Sequence, residues 1–186
     1  VKAESLKEAW DLNQKRSSVL VGGMMWLKMG NGQKKTVVDL SGLGLDQIRE
    51  TEEEFIIGCM CTLRQLELHQ GLNREFDGLF RDCVKHIVGV QFRNGATVGG
   101  SVFGRYGFSD VLTGLMALET EVELYQGGRM SLEDFGAMPY DRDILVGIRV
   151  RRDGRKAAYI SQRNTETDFP VIACALSRKG DQWKVS

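Results

Sequence analysis

Five glycines fall within the twenty-one residues from Val90 to Asp110, and that density limits what the chain can fold into more than any other feature. Glycine loses more backbone entropy on folding than any other residue. A cluster of it between well-formed elements therefore implies positive φ, or backbone that must lie directly against something else. The stretch follows an amphipathic helix and precedes a mostly apolar helical run from Asp110 to Leu118, so it is expected to be a loop between buried elements. A shorter stretch of the same kind lies near the start of the chain, at Leu20-Val21-Gly22-Gly23-Met24-Met25.

Composition narrows the class. The chain has 186 residues, 42% hydrophobic and 27% charged, with zero formal net charge from 25 acidic and 25 basic residues. Those fractions are those of a globular protein with a real core. The absence of a basic excess argues against nucleic acid or an anionic membrane as partner. No apolar run approaches the roughly 18–20 residues that span a bilayer, and the charged start from Val1 to Glu8 is unlike a signal peptide. A cytoplasmic location is expected. The four cysteines, Cys59, Cys61, Cys83 and Cys174, have no metal-ligand spacing, and the two histidines, His69 and His86, are too few for a metal cage. No metal site is expected. Cys59 and Cys61, two apart in an apolar context, read as buried reduced thiols.

In chain order, Ser5-Leu6-Lys7-Glu8 is a capping box before a short helix, and Ser18–Val21 is a buried strand. Gly22-Gly23 then leads into one or two helical turns, Met24–Met29, before a second buried strand, Thr36–Leu40. Strands joined across a helix suggest a small parallel sheet. The charged run Arg49–Glu54 is expected to be a surface turn, Phe55–Gly58 a strand, and Thr62-Leu63-Arg64-Gln65 a second capping box. A helix from about Arg74 carries Phe76, Leu79, Phe80, Cys83 and Ile87 at helical spacing. Further on, Glu121–Tyr125 and Ile144–Val150 alternate as strands, Gly127-Gly128 makes a turn, and Ser131 caps a short helix. Asp153-Gly154 is the strongest hairpin signal. Ala157–Gln162, Phe169–Leu176 and Trp183–Val185 complete the strands, and the pattern at Ser186 suggests that the sequence continues beyond it.

Two places suit chemistry. A strand that ends in Gly22-Gly23 and enters a helix points free backbone N–H groups at what lies above it, an arrangement that suits phosphate, although a plain strand-to-helix turn uses the same residues. In Thr97-Val98-Gly99-Gly100-Ser101, glycines again permit close backbone approach and two hydroxyls are available as donors. Asp110 reads either as a helix N-cap or as a carboxylate accepting sugar or ribityl hydroxyls. Arg93 and Arg105 flank the loop and face phosphate or, as isolated arginines more often do, water.

Taken together, the two loops resemble those of the FAD-binding medium subunit or domain of molybdenum hydroxylases, the PCMH-type fold of the xanthine, carbon monoxide and nicotinate dehydrogenases. Leu20-Val21-Gly22-Gly23 is similar to the first flavin loop. Arg93–Ser101, followed by Ser109-Asp110 and Leu115–Leu118, is similar to the second. The flanks Val38–Ser41, Ile57-Gly58 with Leu63, Ser131–Phe135 and Ile144-Leu145 agree. The resemblance implies an α+β fold: a small parallel-sheet subdomain (1–51), a larger antiparallel one (52–157) with FAD between them, and the start of a C-terminal sheet subdomain (158–186). It also implies that the pyrophosphate meets the backbone of Leu20, Val21, Gly22, Gly23, Met24, Met25 and Trp26. Thr97, Gly99, Gly100, Ser101 and Asp110 would hold the sugar, phosphates and ribityl chain, with Ile87 and Leu145 packed on the flavin. The chain departs from the family pattern at Met24 and Met25, where Thr and then Asp or Asn are usual, at Ser101, at Tyr106-Gly107-Phe108, and at Ile160, which stands where some relatives carry Lys near the isoalloxazine.

The resemblance further implies a flavin relay between an iron–sulfur subunit, a molybdopterin subunit and NAD(H). No residue of this chain need act as nucleophile or acid, because the chemistry is the cofactor's, and no C-x4-C-x2-C run for an iron–sulfur cluster is present. The rival readings are a subunit that keeps the fold without flavin, and another FAD-dependent reductase of the same fold.

Overall fold

Residues 1–186 are described by the computed structural model. The chain opens with helix α1 (Leu6–Asn13), capped by Ser5, whose hydroxyl accepts from the Glu8 N–H at 3.1 Å. The box is half closed, because the Glu8 carboxylate takes the Glu4 N–H rather than that of Ser5. Strands β1 (Ser18–Val21) and β2 (Thr36–Asp39) pair in parallel, Ser18 opposite Thr36 and Val21 opposite Asp39. This is the small parallel sheet that the buried apolar runs predict. The connection between them differs from expectation. Met24 adopts a left-handed φ of 59°, which ends regular structure after the glycines, and only a single 3-10 turn forms, at Leu27–Met29.

The larger body is a five-stranded antiparallel sheet in the order β3-β4-β7-β5-β6, built from β3 (Ile48–Glu50), β4 (Glu54–Gly58), β5 (Thr120–Leu124), β6 (Gly128–Ser131) and β7 (Leu145–Arg151). The charged run expected to be only a turn contributes the edge strand β3, where exposed Arg49 and Glu50 suit an edge. Between β4 and β5 lie six short helices: α2 (Leu63–Leu68), α3 (Gln70–Glu75), α4 (Leu79–Val84), α5 (Val90–Gly95), α6 (Val98–Phe103) and α7 (Asp110–Met116). The Thr62–Gln65 capping box of α2 is complete. The single helix expected from about Arg74 is broken at Asp77 and Gly78, which take left-handed φ values of 51° and 84°. Asn73 stitches the break, since its Nδ2 donates to Glu67 O and His69 O while its Oδ1 accepts from Arg81 N. Phe76, Leu79, Phe80 and Cys83 are all buried across it. The glycine-rich stretch is loop only over residues 104–109; the rest forms α5 and α6, separated by Ala96 and Thr97.

Helix α8 (Leu132–Ala137) follows the β5–β6 hairpin, capped by Ser131. A three-stranded antiparallel sheet, β8 (Lys156–Gln162), β9 (Ile172–Lys179) and β10 (Gln182–Val185), closes the chain in the order β10-β9-β8. Asp153-Gly154 turns the chain but makes no hairpin. Both edges of β7 are already occupied, by β4 and β5, so β8 leaves for the second sheet. There Asp153 is held by the Arg155 guanidinium at 2.8 Å, and Arg155 also reaches Glu119 and Ser177. Helix α6 packs on β7, α4 against β8 and α7 against β9. One apolar core runs through all of these layers, from Val38 through Phe55, Phe80 and Leu115 to Ala175. No helix is long and apolar enough to cross a membrane.

Candidate functional site

The segment Cys59–Leu63 runs beside Ala96–Gly99, joined by Leu63 N to Ala96 O, Val98 N to Cys61 O and Gly99 N to Cys59 O at 2.8–2.9 Å. A Cβ on Gly99 would meet Cys59 O at 2.6 Å and Cys59 Cβ at 2.7 Å. The cysteines at 59 and 61 are thus small packing residues beneath the second glycine pair, and both are free thiols. Burial pushes Cys59 up to about 12 and Cys61 up to about 11, far from the thiolate that redox chemistry needs.

The first glycine pair packs on this same segment. A Cβ on Gly22 would collide with Thr97 Oγ1, and one on Gly23 with the carbonyl of Gly95, while Gly95 in turn faces the Met25 side chain. Glycine at 23 and 99 is therefore demanded by backbone lying against backbone, while Gly22 and Gly95 face the Thr97 and Met25 side chains. The exposed glycine of the set is Gly100, where a Cβ would meet only Thr97 Oγ1, at 3.2 Å.

Above this seam lies a cleft of about 870 Å³, within the range of small-molecule and cofactor sites, roughly 300–1,000 Å³. The residues expected to contact the dinucleotide line it: Leu20, Val21, Gly22, Gly23, Met24, Met25, Trp26, Ile87, Thr97, Gly99, Gly100, Ser101, Asp110 and Leu145. The two loops contribute differently. None of the backbone N–H groups of Gly22, Gly23, Met24, Met25 and Trp26 donates to a main-chain acceptor. Free N–H groups in a bend with a left-handed residue, as at Met24, are the elements from which anion-binding concavities are built. The second loop has spent most of its donors: besides Val98 and Gly99, Gly100 N–H goes to Thr97 Oγ1 and the Ser101 hydroxyl donates to Thr97 O, while the Thr97 N–H and hydroxyl hydrogen are left free. The first loop thus offers mainly main-chain donors and the second mainly shape. Ser18 also lines the cleft, with a buried hydroxyl oxygen that has no protein partner.

Asp110 is not the N-cap of α7. Ser109 is, accepting from Leu112 N at 3.3 Å. The Asp110 side chain instead receives the Tyr159 hydroxyl and the Arg163 guanidinium, both on Oδ1. Oδ2 takes no protein donor. Burial pushes its carboxyl above the usual range, against the opposing pull of Tyr159 and Arg163. Arg163, from beyond β8, also lines the cleft. No local signal in the sequence marked it, because the contact crosses 53 positions.

Arg93, Arg105 and Ile160 stand differently from expectation. Arg93 faces neither phosphate nor water. It is 5% exposed and its guanidinium pairs with Glu67 at 2.8 Å. Arg105 is likewise enclosed, stacked over Phe135 at 3.9 Å from the ring centroid and donating to Met138 O at 2.9 Å. Ile160 is 70% exposed and is not among the residues lining the cleft, whereas its neighbour Tyr159 donates its hydroxyl to Asp110. No group of three or more His, Cys, Asp or Glu residues could hold a metal ion.

Residues 1–150 match the family described as "FAD binding domain in molybdopterin dehydrogenase". The uncharacterized protein YgfM of Escherichia coli, strain K12, is 27% identical over 144 residues, 77% of this chain and 54% of its own length, and the O157:H7 protein gives the same values. The chain thus spans about half the length of these curated relatives. Among solved structures, a carbon monoxide dehydrogenase from Hydrogenophaga pseudoflava superposes with a TM-score of 0.87 at 22% identity, over 99% of this chain and 71% of that one. A reconstituted CO dehydrogenase from Oligotropha carboxidovorans gives 0.84 at 22% identity, over 96% and 69%. Quinoline 2-oxidoreductase from Pseudomonas putida 86 gives 0.85 at 15% identity, over 95% and 66%. At these identities the likeness is one of fold, and the α+β arrangement with a two-stranded parallel sheet and antiparallel sheets is shared.

Proposed function

Because the chain belongs to the family of FAD-binding domains in molybdopterin dehydrogenases, we propose that its cleft holds FAD and that the chain is the flavin-carrying part of a molybdenum-hydroxylase-type oxidoreductase. The observation that carries this reading is the row of five free backbone N–H groups from Gly22 to Trp26, bent through the left-handed Met24 at one wall of the cleft.

On this reading those N–H groups bind the pyrophosphate. Charge-assisted hydrogen bonds of this kind are about twice as strong as neutral ones. Thr97, Gly99, Gly100 and Ser101 shape the wall against the sugar and ribityl chain. Asp110 accepts a hydroxyl on Oδ2, its orientation fixed by Tyr159 and Arg163. Ile87 and Leu145 pack against the flavin ring and keep water from it. Residues 1–51 and 52–157 form the two halves of the site, and 158–186 begin a third subdomain that supplies Tyr159 and Arg163. Bound FAD would supply two-electron exchange with a nicotinamide and one-electron exchange with an iron–sulfur cluster. The partners we propose are an iron–sulfur subunit and a molybdopterin subunit, with NAD(H) as acceptor or donor and the assembly in the cytoplasm. Xanthine dehydrogenase-like and CO dehydrogenase-like assemblies both fit, because substrate choice belongs to the partner.

The reading in which the fold persists without flavin draws on Met24 and Met25. Met25, however, is packed on Gly95, so its apolar side chain joins the two loops, and the donors that matter for phosphate are main-chain groups. The discriminating experiment is to reconstitute the chain with FAD and add NADH without oxygen. Bleaching of bound flavin supports the relay. Bound but unreactive flavin assigns a different electron partner, and a protein that never takes up flavin rules the reading out.

A further inference from the structure

Four aromatic rings from three distant segments meet at the mouth of the cleft. Trp26 lies 6.0 Å from Tyr106, 5.9 Å from Phe108 and 5.8 Å from Phe169, centroid to centroid. Tyr106 and Phe108 stack at 5.1 Å with planes 10° apart, and Phe169 stands edge-on to Phe108 at 4.8 Å. All four line the cleft. Each nonetheless stays 40–59% exposed, which leaves large ring faces uncovered by protein.

The backbone is bent out of its ordinary range to bring them there. Met24, two residues before Trp26, has φ 59°, and Arg105, directly before Tyr106, has φ 49°. A left-handed conformation is unfavourable for an L-residue, and such residues persist only where the surroundings over-determine them. Arg105 is held by its anchorage over Phe135 and Tyr140, and Gly104 leaves room for the Tyr106 ring to fold back, since a Cβ there would stand 2.8 Å from it. Both loops therefore carry a left-handed residue one or two positions before the ring they present.

We propose that Trp26, Tyr106, Phe108 and Phe169 form a stacking subsite for a planar heteroaromatic ring of the bound dinucleotide. The inference rests on the FAD reading of the cleft. Trp26 closes the row of free N–H groups that begins at Gly22. A ligand whose phosphates sit on those groups has its adjoining sugar, and the ring on that sugar, within reach of Trp26. Stacking on exposed aromatic faces is tolerant of which ring it receives, so adenine and isoalloxazine share the required chemistry.

The test is calorimetric titration of the full chain and of Trp26→Leu and Phe108→Leu with FAD, FMN, ADP and inorganic pyrophosphate, with melting temperature recorded for each protein. The subsite predicts that both variants melt as the wild type does and bind pyrophosphate equally well, while their Kd for FAD rises about tenfold. A matching rise for ADP alone assigns the ring as adenine, and for FMN alone as isoalloxazine. An unchanged Kd for FAD in both variants overturns the subsite and leaves the flavin reading standing. So does an equal loss for pyrophosphate, which would make the rings merely structural. Wild-type protein that binds ADP through Trp26 but neither flavin retains the subsite and overturns the flavin reading. Protein that binds none of the four overturns both.

Discussion

A Cβ placed on Gly23 would fall on the carbonyl oxygen of Gly95, so the two glycine-rich segments touch main chain to main chain. The contact fixes the distance between the wall that offers N–H donors and the wall that offers shape. Gly23→Ala should cost at least about 2 kcal/mol, as overpacking against backbone does, with a lower melting temperature and weaker FAD binding together. Gly100→Ala should separate the two effects. Its new methyl group meets only Thr97 Oγ1 at 3.2 Å, so thermal unfolding should stay near that of the wild type while calorimetry shows FAD affinity reduced.

The main-chain character of the phosphate contacts is tested at Met24. Replacing it with glycine relieves a left-handed φ of 59° and removes a side chain that is largely exposed. The melting temperature should not fall, and FAD affinity should stay within about threefold, because the N–H groups remain in place. A tenfold loss of affinity would mean that the methionine side chain itself takes part in binding.

The Glu67–Arg93 pair anchors the start of the second loop, with side chains 10% and 6% exposed. Burial raises the Glu67 carboxyl, but hydrogen bonds from Arg64 and Arg93 outweigh it and hold the group below its ordinary value. A depressed carboxyl gives stability that is present above the unfolded value, near 4.5, and is lost as pH falls through the folded value. Glu67→Gln leaves Arg93 buried without its charge partner and should cost about 3 kcal/mol at neutral pH. Denaturation followed from pH 7 downward should show the gap between wild type and variant closing as pH falls below the unfolded value of 4.5 and through the lower folded one.

The thiols offer a test that needs no cofactor. Burial raises Cys59, Cys61 and Cys83, with Cys83 shifted furthest, and Cys174 alone of the four is not buried. A colorimetric thiol reagent at pH 8 should titrate one cysteine in the native protein and four after denaturation. Rapid labelling of Cys59 or Cys61 in the native state would contradict the packing described for the second loop.

What the sequence made legible was set by short-range rules. The parallel pair β1–β2 followed from two buried runs around Gly22-Gly23. The α2 cap followed from Thr62 and Gln65, and the core face of Phe76, Leu79, Phe80 and Cys83 from helical spacing. The residues from Leu20 to Trp26, with Ile87, Thr97, Gly99, Gly100, Ser101, Asp110 and Leu145, line one cleft, but Arg93, Arg105 and Ile160 do not. What escaped were features fixed by distant partners. The break at Asp77-Gly78 keeps the apolar period intact, so periodicity could not reveal it. The Asp153-Gly154 turn has a hairpin's residues but not its topology, because β4 and β5 already flank β7. Arg93 and Arg105 looked like surface arginines, and Arg163 went unmarked, because Glu67, Phe135 and Asp110 lie far from them in sequence.

The central claim, that the row of free N–H groups beside Gly23 and Gly95 holds a flavin dinucleotide, is tested most directly by the visible absorption spectrum of the chain. Purified protein is incubated with excess FAD, passed through a desalting column and scanned. The account predicts flavin bands that travel with the protein at about one flavin per chain and are diminished in Gly23→Ala. Colourless protein, or flavin retained equally well by Gly23→Ala, would contradict it.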